Sequence, residues 1–205
     1  MEVVRMFLVL GHLFALLAAA VAVAFGDYAL LGRKQIDNDV LRKASSGVAL
    51  ALAALWVTGL GIIYVDTHFA MALILAKPKI LAKLTVVAVL TLNGMLMHAK
   101  VLPALERRFS AERAIGVASW ATVAGAVSAA GWGYAVFLGV ARPLTPILGY
   151  QGFVALFALA VLAACAVSAR LVRPELCRRL IDASPQALGV RRATDASYSP
   201  VAQAA

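Results

Sequence analysis

Apolar residues gather in five long runs, and the basic residues collect in the short polar stretches between them. A helix rises about 1.5 Å per residue, so roughly 20 apolar residues cross a hydrocarbon layer of about 30 Å. The first run, Met6 to Leu31, predicts a span ending near Asp27. The third, Ile80 to Leu102, lies inside KPKILAKLTVVAVLTLNGMLMHAKVLP and carries Lys83, Asn93 and His98. The fourth covers about Ala114 to Val140 and the fifth about Ile147 to Val172, with Pro143, Pro146 and Gly149 marking the turn between them. The second run is less simple. Val48 to Val65 is followed by DTHFAMALILA, Asp66 to Ala76; together they are too long for one ordinary span and too short for two. A span followed by an interfacial or re-entrant helix is the simplest solution, and one long tilted helix is the rival.

The first run also has features of a signal peptide, because Arg5 precedes it and Ala22-Val23-Ala24 resembles a cleavage site. The apolar stretch ahead of that site exceeds the usual length of about 7–15 residues. Cleavage would also leave Arg33, Lys34, Arg42 and Lys43 on the outer side, so the run is read as the first span.

Charge orients these spans. Four Lys or Arg residues occupy Gly32 to Ser46, and Lys100, Arg107, Arg108 and Arg113 surround the next basic loop. The chain after Ala169 adds Arg170, Arg173, Arg178, Arg179, Arg191 and Arg192. The alternate connections are poorer, with Lys77 and Lys79 in one and Arg142 in the other. The positive-inside rule then predicts an all-α integral membrane bundle of five transmembrane helices, N-terminus outside and C-terminus cytoplasmic, in a bacterial-type inner membrane. Residues 1–173 form the bundle. Residues 174–205 are expected to be a cytoplasmic tail: a short amphipathic turn, ELCRRLI, then a disordered stretch from Ser184 rich in Pro, Ser, Ala and Gln.

Composition agrees. Of 205 residues, 63% are hydrophobic and 14% charged, against about 25% charged in soluble domains. The net charge of +9 is no nucleic-acid footprint, since no basic stripe with interleaved aromatics occurs. The lipid bilayer is the expected partner. Cys165 lies within an apolar run and Cys177 among arginines, at depths that argue against a disulfide. Two cysteines also cannot build a four-cysteine metal site.

The fourth span bears small residues at spacing four, Ala121, Gly125, Ala129 and Gly133. Such a ladder admits another helix closely, either within the chain or across a homo- or hetero-oligomer. Nothing resembles a nucleotide loop, a serine–histidine–aspartate set, a metalloprotease helix or paired catalytic carboxylates.

Candidate chemistry rests on a few polar residues in apolar surroundings. His12, His68 and His98 carry imidazoles, and neutral imidazole ligates metals and haem. Their predicted depths differ: outer half of span one, outer end of span two and inner end of span three. Inter-helix hydrogen bonding is the plainer role for His12, and an interfacial position is the plainer one for His98. Asp27 is either an interfacial partner for a cytoplasmic arginine or a relay acid. Lys83 either snorkels outward or anchors an acidic group such as a haem propionate or a substrate carboxylate. Asn93, near mid-membrane, must bond to another helix or to a ligand.

FLVLGHLFALLAAAVAVAFGDYALLGR together with LAKLTVVAVLTLNGMLMHAKVLP resembles small multi-pass bacterial membrane proteins of the HemJ and CopD kind. Those families place an early histidine on the first span, and a lysine and a later histidine on another; the matching positions are His12, Lys83 and His98. The resemblance implies b-type haem, with His12 and His98 as axial ligands, Lys83 on a propionate, and either porphyrinogen oxidation or copper-related transport. Two further readings stand beside it. One is a small transporter or permease subunit whose polar path is lined by Asp27, Asn93 and His98. The other is a non-catalytic assembly subunit using the small-residue face.

Overall fold

A computed structural model describes residues 1–32, 37–105 and 111–182. Helix α1 (Glu2–Asp27) ends in a wider π-type turn, Tyr28–Gly32. Then follow α2 (Asn38–Thr67), the short α3 (Met71–Leu75) and α4 (Pro78–Leu96), which continues through a second π-type turn (Met97–Val101) into α5 (Leu102–Leu105). The last elements are α6 (Ala111–Val140) and α7 (Thr145–Asp182). Five stretches are long and apolar enough to cross a membrane: Glu2–Leu30, Asp39–Thr67, Pro78–Leu105, Arg113–Val140 and Thr145–Asp182.

Local chemistry sets the boundaries. The Asp37 carboxylate accepts from the Val40 amide at 3.1 Å and caps α2. Pro78 opens α4, where a missing amide hydrogen costs nothing. Helix α2 stops because His68 and Phe69 adopt left-handed backbone, with φ of 47° and 57°. Such residues cost about 1–3 kcal/mol each unless neighbours hold them. Here the His68 amide donates to the Tyr64 carbonyl at 2.7 Å, and the Tyr64 ring meets both the His68 and Phe69 rings. Of residues 66–76, Asp66 and Thr67 complete α2 and the rest do not extend it; α2 ends and a separate five-residue helix follows.

Side-chain ties give the topology. Arg5 pairs with Asp66 at 2.8 Å, so the start of α1 meets the end of α2. Lys79 donates to the Gly139 carbonyl at 3.4 Å, joining the start of α4 to the end of α6. Arg179 donates to the Leu30 carbonyl at 2.9 Å, joining the end of α7 to the end of the first span. The long helices alternate up and down, and Met1 and Asp182 lie at opposite ends. These are called below the N-terminal end and the C-terminal end.

The bundle has two bodies. Helices α1 and α2 pair closely along their length, while α4 packs on α6 and α7, which pair with each other. Small residues permit both approaches. A Cβ on Gly47 would lie 3.3 Å from Ala22, and one on Gly131 would meet Leu90 at 2.6 Å. One core, at the N-terminal end and middle, includes Ala19, Leu55, Val86, Leu138 and Phe153; a second, toward the C-terminal end, includes Ala29, Leu105, Ala118 and Leu176.

Helix α7 continues past residue 173, where the bundle was expected to give way to the tail. Helix α7 runs through Pro174 to Asp182, and Leu176 and Leu180 are buried in the second core. Its continuous segment, residues 150–182, spans about 50 Å, so it outreaches the hydrocarbon layer. The break in α7 falls instead at Gly149, whose φ of 55° suits glycine and separates the first turn from the long segment. The disorder expected from Ser184 onward lies outside the described residues.

Candidate functional site

Two cavities lie along the seam between the α1/α2 pair and the α4/α6/α7 body. The larger, about 830 Å³, opens at the N-terminal end and is bordered by residues of α1, α2, α4 and α6 and the turn leading into α7. The smaller, about 420 Å³, lies toward the C-terminal end. Leu52, Trp56, Leu90 and Trp132 border both, so one wall of four side chains separates them. Trp56 is fixed in that wall. Its indole N–H donates to the Thr91 hydroxyl at 2.9 Å, which in turn donates to the Val87 carbonyl at 2.7 Å.

The cavities differ in charge. Arg5, Lys77, Lys79, Lys83 and Arg142 border the first, against a single acid, Asp66, which is engaged by Arg5. The second is bordered by one charged residue, Asp27, with Ser45, Asn93 and His98. Asp27 has no hydrogen-bond or ion-pair partner among the described residues, so the pairing with an arginine that the sequence favoured is not seen there. Asn93 donates to the Ala124 carbonyl at 3.0 Å and so also ties α4 to α6.

The imidazoles are separated. His12 Nδ1 lies 2.9 Å from the Thr58 hydroxyl in the first cavity. His98 lies 3.0 Å (Nδ1) and 3.2 Å (Nε2) from the Ser45 hydroxyl in the second. Thr58 and Ser45 are 13 positions apart on α2, about 20 Å along its axis. The fold does not bring His12 and His98 to one iron. His68 is an exposed helix-stop residue that borders neither cavity.

The hydroxyl next to His12 fixes its tautomer. Thr58 donates its proton to the Ala54 carbonyl at 2.7 Å, the shorter of its contacts. Its oxygen must then accept from His12, which places the ring proton on Nδ1 and leaves the Nε2 lone pair unused. The ring packs over Gly59, where a Cβ would be in ordinary van der Waals contact with His12 Cε1 at 3.5 Å.

Two rungs of the ladder on α6, Gly125 and Gly133, make no close helix contact among the described residues, whereas Ala121 is buried in the second core. A Cβ on Gly125 or Gly133 would meet no described residue within 4 Å, while Ala121, Gly125 and Ala129 border the second cavity. Gly131, off that register, makes the close approach to α4 instead. The wall itself escaped sequence reasoning. Trp56 and Trp132 are ordinary apolar positions in a span, and only their convergence gives them a role. Among the described residues no group of three or more His, Cys, Asp and Glu side chains is placed to hold a metal ion.

Comparison of the chain with protein-family models, curated proteins and solved structures finds no match. The geometry establishes a multi-pass membrane helical protein with two cavities meeting at one wall.

Proposed function

We propose that this is a small membrane transporter or permease in which a solute passes between two cavities at opposite ends of one seam. The shared wall of Leu52, Trp56, Leu90 and Trp132 is the observation that supports this most. Binding sites between half-bundles, closed alternately by rocking of one half against the other, are the usual economy of such proteins. Here the α1/α2 pair is one half and α4/α6/α7 the other. An inter-helix hydrogen bond in a membrane averages about 0.6 kcal/mol, so releasing Trp56 from Thr91 is a small cost. Asp27, Asn93 and His98 border the second cavity together, and Asp27 is the coupling acid. With the N-terminus outside, the cationic cavity faces outward and the acidic one the cytoplasm.

Thiol access tests this. Cys165 and Cys177 are first replaced by alanine, and Leu90→Cys is introduced in the wall. A membrane-impermeant maleimide is then applied to right-side-out and inverted vesicles. Alternating access predicts labelling from both faces. A wall cysteine reactive from neither face, while cavity positions such as Leu16→Cys react, would end the transport reading.

A second reading, b-type haem, is supported by the free Nε2 of His12 together with Lys83 on the same cavity. These are two of the three positions in the resemblance to the HemJ and CopD kind. A bound haem would supply one-electron chemistry, with His12 as the residue that would hold its iron and Lys83 as the residue that would hold a propionate; His98 would take no part. Absence of a Soret band after expression with added haem and after reconstitution would remove it. An oligomer through the small-residue face would use Gly133, which is exposed and has no described residue within 4 Å of a Cβ placed on it. Disulfide trapping of Gly133→Cys in membranes tests that contact.

A further inference from the structure

We infer that the cationic cavity binds a single amphipathic anion: one acidic head, such as a carboxylate, on an apolar body of drug-like size. This rests on the transport reading only in calling that molecule the transported solute; the binding itself stands alone.

Five cations converge on this cavity from four places in the chain: Arg5 on α1, Lys77 just before α4, Lys79 and Lys83 on α4, and Arg142 after α6. Asp66 is satisfied by Arg5, and Lys79 reaches the Gly139 carbonyl. Among the described residues the side chains of Lys83 and Arg142, both exposed at the cavity, have neither a hydrogen-bond acceptor nor an ion-pair partner. Like charges that face one cleft repel, and ordinary packing gives no reason to assemble them. An anion removes the repulsion and offers both cations a shared acceptor. The cluster also runs against the distribution of basic residues that orients the chain, since it sits at the end whose loops are otherwise poor in them.

Beyond the cations the lining turns apolar, with Leu13, Leu16, Leu52, Trp56 and Val87. A head held at Lys83 and Arg142 would therefore leave an apolar body against α1, α2 and α4. The volume of about 830 Å³ falls within the range of pockets that take one small molecule. The free Nε2 of His12 adds one acceptor within this lining, suited to a hydroxyl or N–H on the body.

The test is equilibrium binding to the purified full chain in zwitterionic-lipid nanodiscs. The probe is 11-(dansylamino)undecanoic acid, compared with its methyl ester. Saturable binding of the acid, with the ester at least tenfold weaker, is expected. Lys83→Met should weaken the acid at least tenfold, and Lys83→Arg should restore most of it. Arg142→Gln serves as a second variant should Lys83→Met fail to fold, and it should also weaken binding. Equal binding of acid and ester, or no change in either variant, would overturn the inference. Competition by inorganic phosphate as effective as by decanoate would show that no apolar body is read, and would overturn it too. So would displacement by phosphatidylglycerol but not by decanoate, because the occupant would then be a lipid headgroup. Binding with a closed wall cysteine would leave this site standing and remove transport; a reactive wall with no binding would do the reverse.

Discussion

Three glycines on α6 make one substitution informative. Gly125, Gly131 and Gly133 lie on the same helix, and Gly→Ala in a helix interior is favoured by about 1 kcal/mol at each. Sterics separates them. A Cβ at Gly125 or Gly133 meets no described residue within 4 Å, whereas at Gly131 it falls 2.6 Å from Leu90 Cδ2 and 2.9 Å from Cγ. Overpacking costs about 1–3 kcal/mol. Leu90 borders both cavities and has room to yield on that side, so the lower part of the range applies, about 1–2 kcal/mol. The propensity term is common to all three sites and cancels in the comparison. Gly131→Ala should therefore be less stable than Gly125→Ala or Gly133→Ala by about 1–2 kcal/mol, a factor of roughly 5–30 in the unfolding equilibrium. Reversible denaturation in mixed micelles, followed by tryptophan fluorescence, measures it. Equal shifts for the three variants would refute the packing of α4 on α6 through Leu90.

Asn93→Leu removes the bond to the Ala124 carbonyl and should cost about 0.5–1.5 kcal/mol in the same assay; a stabilised variant would show that the amide does not join the helices. Thr58→Val removes the acceptor for His12. Nitrogen-15 NMR should find the Nδ1-protonated ring in the parent protein and a mixture of tautomers in the variant, and an Nε2-protonated parent would contradict the assignment. In proteoliposomes carrying an imposed proton gradient and an internal pH dye, Asp27→Asn should lower coupled proton entry at least tenfold without changing the folded yield. Undiminished entry would remove Asp27 from the path.

Spans were easy to read from sequence because hydrocarbon imposes a minimum apolar length on each of them. The helix starts were less legible. Helix α2 begins ten residues before Val48, at Asn38, because the Asp37 cap and the burial of Leu41 and Ala44 extend it beyond its apolar run. The passage of α7 beyond Pro174 was missed for a similar reason. Proline marks a local weakness, but Leu176 and Leu180 are held by packing and Arg179 by the Leu30 carbonyl, partners far away in the chain. The polar residues were found by their cost in lipid, and Asp27, Asn93 and His98 do share a cavity. Which imidazole meets which hydroxyl depends on helix register, which a single sequence does not state. The cationic cluster was hidden in another way. Lys77, Lys79 and Arg142 looked like sparse loop charges, and Lys83 like a lone anchor, until the turns brought them to one mouth.

Relative motion of the two halves can be measured most directly by pulsed electron–electron resonance in nanodiscs. One pair of spin labels joins Leu60 on α2 to Val140 on α6 at the N-terminal end, and a second joins Ala49 on α2 to Ser128 on α6 toward the other. Alternating opening predicts two populations in each pair, with the distance at one end lengthening as the other shortens when 11-(dansylamino)undecanoic acid is added. A single unchanging distance at both ends would contradict it and leave a rigid protein with two unconnected hollows.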